Sequence, residues 1–231
     1  MNFSSNKLKL VKGKDGVAVL EYTAGAKGLD VQVVTVPASG KVSQLSIDVK
    51  EAAYAATIES LKDVNSTVAS KGEVKIKYSN LVVKDQYGRT FDLKGKLDAD
   101  FKVIVEETAQ NDAVTVGTTK ELTNDTDEIV VSGNVKGTET LTFSLEKDDK
   151  IVSTSPLKVT FTTVDKSAYA SFEIADIAPL YTDGTAKTHQ QDFKVYGVKA
   201  DGSKVLLPTS YYTVITNTAE LVYEDCKLNS V

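Results

Sequence analysis

The stretch that decides the fold is Asp192–Val214, DFKVYGVKADGSKVLLPTSYYTV. Phe193, Val195 and Val198 lead into Ala200-Asp201-Gly202-Ser203, and Val205 and Leu207 lead out to Pro208. An Asp-Gly pair between two alternating segments is a strong hairpin signal, because glycine takes φ > 0 without a Cβ clash. Proline then removes a ladder donor and closes the second strand. Tyr211, Tyr212 and Val214 begin another segment. This alternation of short apolar strands and Gly/Asp turns recurs along the whole chain and predicts an all-β protein.

Composition supports that expectation and excludes several functions. Hydrophobic residues make up 41% of the 231 positions, enough for real cores in two or three domains. Val and Thr are abundant and Trp is absent, a balance that suits pleated sheets. The net charge of −5 comes with no basic stripe, so nucleic acid is not an expected partner. One cysteine, Cys226, rules out an internal disulfide. One histidine, His189, leaves neither a zinc set nor a Cys–His nucleophile pair to expect. No apolar run reaches the ~18 residues of a membrane helix, so no membrane insertion is expected.

Read in order, Lys7–Val11 and Val17–Tyr22 form a hairpin around Gly13-Lys14-Asp15-Gly16. Leu29–Val36 and Ser43–Val49 are strands. Lys50–Lys62 (KEAAYAATIESLK) then changes period: Tyr54, Ile58 and Leu61 fall at helical spacing, and Asp48 with Glu51 offers a capping box. This is the one helix expected. Further strands at 73–78, 81–84, 90–93 and 101–105 complete a first module, residues 1–107. The polar run Glu106–Asp112 reads as a linker. A second, smaller module, 108–167, holds strands at 113–116, 128–132, 139–145 and 157–163. A third, 168–231, opens at Tyr169 and ends in a strand and turn with no closing strand, as if truncated at its C-terminus. Leu81–Leu93 parallels Tyr196–Leu207: apolar strand, Lys, acidic turn with Gly, basic residue, apolar strand. Short strands with turn signals every 8–12 residues argue for β-sandwiches.

Carboxylates are the plausible ligands. Asp98/Asp100, Asn124/Asp125/Asp127/Glu128, Asp148/Asp149 and Asp165/Glu173/Asp176/Asp183 cluster in turns and linkers. Loops of this kind can supply the six to eight oxygens of a Ca²⁺ site. They are equally the residues that backbone turns favour, and both readings stay open. The best calcium candidate is Asp165, Glu173 and Asp176 at the second junction, where a shared cation could stiffen two modules. No pair of carboxylates is singled out as a glycosidase pair, so no enzymatic activity is expected.

Ser171-Phe172-Glu173-Ile174-Ala175-Asp176-Ile177, Lys194–Val205 and Ser210–Val214 together resemble the tandem immunoglobulin-like domains of surface-layer (S-layer) proteins of Gram-positive bacilli. Val83-Lys84-Asp85-Gln86-Tyr87-Gly88 is similar to a strand-turn that recurs in that family. The resemblance implies a structural fragment of an exported cell-surface protein that self-associates into a lattice through neighbouring copies, commonly with calcium. Cell-wall polymer would be bound only through regions outside this chain, since no wall-binding repeats are visible. The alternative function is a binding module of an adhesin or phage fibre that presents loops to a glycan or protein.

Overall fold

A computed structural model describes residues 2–3, 5–12, 18–36, 38–107, 111–153, 155–180, 190–216, 221–224 and 227–230. It is all-β: the strands pair antiparallel except where Thr67–Ala69 runs parallel to Leu157–Val164, and among the described residues the helical segments are single 3₁₀ turns. Among the described residues no helix is long and apolar enough to cross a membrane. His189, Asp183, Cys226 and the expected turn at 13–16 lie outside the described residues. The chain divides into two compact units, Met1–Ala53 and Tyr54–Val231.

The first unit contains a three-stranded sheet, with strand Gly28–Val36 between Asn2–Phe3 and Lys41–Val49, and the hairpin Leu8–Lys12/Ala18–Tyr22. Its centre is polar. Asp30 Oδ2 accepts from Lys7 Nζ at 2.7 Å and from the Tyr22 hydroxyl at 2.6 Å. Asp30 Oδ1 accepts from Gln32 Nε2, and Gln32 Oε1 accepts from Ser5 Oγ, each at 2.6 Å. Charge-assisted bonds of this kind are shorter and stronger than neutral ones. They replace part of the apolar core that a unit of this size cannot supply.

The second unit is built on a six-stranded sheet. Its order is Glu121–Leu122, Phe101–Glu107, Gly137–Lys147, Leu157–Val164 and Thr67–Ala69, with Lys150–Ile151 alongside Gly137–Lys147. Two three-stranded sheets complete the sandwich: Val114–Val116, Ile129–Gly133 and Glu73–Ile76; and Thr90–Phe91, Leu81–Asp85 and Ala55–Leu61. Alternation on the central strand aims Leu141, Phe143 and Leu145 inward, all fully buried, to meet Val103, Val105, Ile129, Val131 and Phe161. Thr140 and Thr160, directly opposite on the other face, share a hydroxyl contact at 3.2 Å.

Three sequence expectations change here. Lys50–Lys62 is not a helix; Ala55–Leu61 is a strand against Leu81–Asp85. Ala55 and Ile58 are 1% and 2% exposed, three residues apart, because register shifts at Ala55/Thr57 and Ile58/Ser60 re-phase the alternation. A bulged strand thereby imitates helical spacing. Second, strand Phe101–Glu107 pairs along its length with Gly137–Lys147, so residues 54–107 and 108–164 build one sandwich rather than two. The shared burial of Val103, Val105 and Phe143 drives that pairing. Third, a further strand stands in the C-terminal part: Lys227–Ser230 pairs with Leu221–Glu224 and with Gln191–Asp192.

The C-terminal part of the second unit has its own small core of Val195, Val205 and Leu207, joined to the sandwich through Ala69 and Val164. One sheet runs Tyr169–Ile174, Val195–Lys199, Lys204–Leu206; the other runs Gln191–Asp192, Lys227–Ser230, Leu221–Glu224. The internal repeat is structural. Gly88 N donates to Asp85 O and Asp85 N donates to Arg89 O; Gly202 N donates to Lys199 O, and Lys199 N donates to Ser203 O, all at 2.8–2.9 Å. Gly88 and Gly202 take φ of 75° and 80°. Both are a three-residue loop closed by a glycine bulge.

Candidate functional site

The carboxylates singled out in the sequence are held in turns and ion pairs. Asp165 ends strand Leu157–Val164 and caps the 3₁₀ turn Lys166–Ala168: its Oδ1 accepts from Ser167 N at 3.0 Å and from Ser167 Oγ. Lys136 Nζ approaches its Oδ2 at 3.4 Å. The Ser167 hydroxyl first, with Lys136 adding its charge, holds the Asp165 carboxyl below its usual range. Glu173 lies further along, on strand Tyr169–Ile174, where its Oε1 takes the Lys204 ammonium at 2.5 Å. That bond raises the Lys204 pKa, with the Asp176 charge adding to the effect. An extended strand rises ~3.3 Å per residue, which carries Glu173 away from Asp165 along the sheet. The three candidates are therefore not gathered at one point. Among the described residues no three His, Cys, Asp or Glu side chains come together as a metal requires.

The other acidic clusters build backbone. Asp98 Oδ1 accepts from Asp100 N and Phe101 N at 2.9 and 2.7 Å. Asp127 Oδ2 accepts from Thr123 N at 2.7 Å, and Asp127 Oδ1 from Asn124 Nδ2 at 2.7 Å. The Thr123 backbone bond, ahead of the opposing burial, lowers the Asp127 pKa. Asp125 accepts from Gly95 N with both oxygens. Glu128 takes Lys77 and Lys75 at 2.7 and 2.9 Å, which holds its carboxyl low. Asp148 and Asp149 occupy φ of 51° and 57° in the tight turn before Lys150–Ile151. At Asp85 burial works to raise the pKa, but bonds from Arg89 and Tyr87 prevail and hold it down. At Asp85, Asp127 and Glu128 the shift runs opposite to that of a general acid.

The open surface lies elsewhere, between the two C-terminal sheets. A groove of about 650 Å³ runs past Phe172, Ile174, Phe193, Tyr212, Ile215 and Leu221. Phe172 is 63% exposed, Ile174 56% and Ile215 85%. The facing aromatic wall is ordered: Phe193 meets Tyr223 edge-on at 5.4 Å and Tyr212 at 6.1 Å. Behind it, Tyr169 packs edge-on to Phe172 at 6.0 Å, and burial pushes its phenol up to about 12. The alternation of Phe172 and Ile174 was legible in the sequence as a strand; that this strand stands at an edge was not.

A second cleft, about 750 Å³, runs between Lys71, Lys75 and Glu73 on one side and Asp192, Lys194 and Tyr212 on the other. It is of mixed charge, with Lys194 bound to Asp192 at 3.1 Å and Lys75 to Glu128.

No protein-family model and no curated protein matches the chain. Among solved structures it is similar to the S-layer protein rSbsC, with a TM-score of 0.47 and 21% identity over 98% of this chain and 27% of that one. It is similar to domains 4 and 5 of the S-layer protein SbsC, with a TM-score of 0.37 and 18% identity over 71% of this chain and 99% of that one. It is also similar to invasin, described as a bacterial integrin-binding protein, with a TM-score of 0.31 and 14% identity over 93% of this chain and 42% of that one. The chain thus spans about a quarter of the length of rSbsC.

Proposed function

We propose that this chain is a structural segment of a bacterial cell-surface protein, made of β-sandwiches in series, that self-associates into a surface layer. The observation that carries the reading is the edge strand Tyr169–Ile174, whose apolar Phe172 and Ile174 are 63% and 56% exposed. Natural β proteins protect edge strands from pairing, so an edge left open is a surface for another chain. The resemblance to S-layer immunoglobulin-like domains, most specific over residues 169–223, supports the same reading and its extracellular location. The fate of the carboxylates supports a structural over a catalytic role, since Asp98, Asp125, Asp127, Glu128, Asp165 and Glu173 serve backbone or lysine. Calcium, in this reading, has no gathered ligand set at Asp165, Glu173 and Asp176.

The mixed-charge cleft beside Tyr212 favours a second reading, a binding module for a glycan or protein ligand. Sedimentation velocity of the purified chain, run beside a glycan-array binding assay, separates the two. Concentration-dependent association without glycan binding fits the first reading. A monomer that binds a glycan fits the second.

A further inference from the structure

We propose that strand Tyr169–Ile174 pairs antiparallel with the same strand of a second copy of this chain, centred on Phe172, joining two C-terminal sheets into one. This rests on the self-association reading above and names its contact. The strand is the outer member of its sheet, with Val195–Lys199 on one side and, among the described residues, no strand on the other. The opposite margin of that sheet is closed: Asn65 Nδ2 donates to Lys204 O at 2.9 Å and ties Lys204–Leu206 to the sandwich. Phe172 lies opposite Gly197 and Ile174 opposite Val195. Cross-strand partners share a face, and Val195 is buried, so Phe172 and Ile174 belong to the inner, groove-lining face.

The occupant follows from the strand's own sequence, YASFEI. Centred on Phe172, antiparallel pairing sets Phe172 against the partner's Phe172 and Ser171 against the partner's Glu173, with the bulge between Tyr169 and Ser171 bounding the regular ladder at Ser171. A pairing centred on a residue keeps both apolar faces on the same side of the joined sheet, whereas a one-residue slip puts them on opposite sides. The one charge, Glu173, meets a serine and is neutralised in its own chain by Lys204. Centring on Glu173 instead would set two carboxylates face to face, which is destabilising. The strand is therefore complementary to itself in charge and in apolar pattern, within a chain whose net charge of −5 otherwise repels its copies. Such a contact is isologous. It covers the groove mouth with the partner's Phe172 and adds the backbone ladder that strand addition supplies.

The test uses the full chain. Wild type should show concentration-dependent dimers by sedimentation velocity, and Phe172→Lys, an exposed substitution, should weaken association about tenfold or more with an unchanged far-UV spectrum. In a Cys226→Ser background, Phe172→Cys should form a disulfide-linked dimer on mild oxidation, because the two thiols face each other. Glu173→Cys, which faces a serine, should cross-link far more slowly. If wild type associates but Phe172→Lys associates equally well, or if Glu173→Cys cross-links as fast as Phe172→Cys, the proposed register is wrong while self-association stands. If wild type stays monomeric to its solubility limit, both the register and the self-association reading fall.

Discussion

The ring of Tyr169 lies across Gly197 on the neighbouring strand: a Cβ at Gly197 would sit 2.4 Å from Tyr169 Cδ1 and 2.6 Å from Cγ. The clash reaches the root of the ring, so a small swing of its tip does not relieve it. Gly197→Ala should destabilise the second unit by about 1–3 kcal/mol, the usual range for overpacking. Chemical denaturation measures it. In a Tyr169→Ala background the same substitution should cost much less, and equal costs in both backgrounds would show that the ring is not the obstacle.

The paired hairpins make a second prediction. Gly88 and Gly202 both have positive φ and open space where a Cβ would go, so the penalty for a side chain is purely conformational. Gly202→Val should cost about 1–2 kcal/mol, and Gly88→Val about the same. Gly202→Asn should cost less, because asparagine tolerates this region. A neutral Gly202→Val would place the turn elsewhere.

The polar centre of the first unit makes it acid-sensitive in a definite window. Hydrogen bonds from Lys7, then Tyr22, then Gln32 lower the Asp30 pKa from 3.8 to about 2. A carboxylate with a lowered folded-state pKa stabilises fully above its ordinary value and loses that contribution as pH falls through the folded value. Carboxyl-carbon NMR should therefore find Asp30 ionised at pH 3, and signals from residues 18–36 should lose dispersion as pH falls from 3.8 toward about 2. An Asp30 midpoint near 3.8 would contradict the network.

Calcium should have little effect. Asp165 is engaged by Ser167 and Lys136, and Glu173 by Lys204, so a cation would have to displace two lysines to assemble its ligands. Thermal melts in millimolar Ca²⁺ and Mg²⁺ should coincide. A calcium-specific rise, which ligand binding to the folded state would produce, would mean that these carboxylates regroup.

How far the sequence could be read depended on whether the local signal and the tertiary reason coincided. They coincide at Lys199–Ser203, where Asp201 Oδ1 accepts from Ser203 N at 2.9 Å and Gly202 supplies positive φ. They part at Ala55–Leu61, where two bulges give a strand the burial spacing of a helix. Polarity misleads at Glu106-Glu107: it suggests a linker, yet Glu107 stays in the sheet and takes Val116 N at 2.9 Å and Lys120 Nζ at 3.1 Å. Lys227–Ser230 is too short and too polar to announce itself, and only its two neighbours make it a strand. For the site, Asp98, Asp127 and Asp165, which the sequence offers as ligands, accept from backbone N–H groups of their own turns. The exposed edge at Phe172 was invisible because alternation tells which residues share a face, not which strand stands last in the sheet.

The central claim is that this segment assembles with itself, and negative-stain electron microscopy of the purified chain tests it most directly. At high protein concentration the account predicts two-fold pairs of particles, which Phe172→Lys returns to single particles. Fields of isolated single particles at every concentration, identical for wild type and variant, would contradict it.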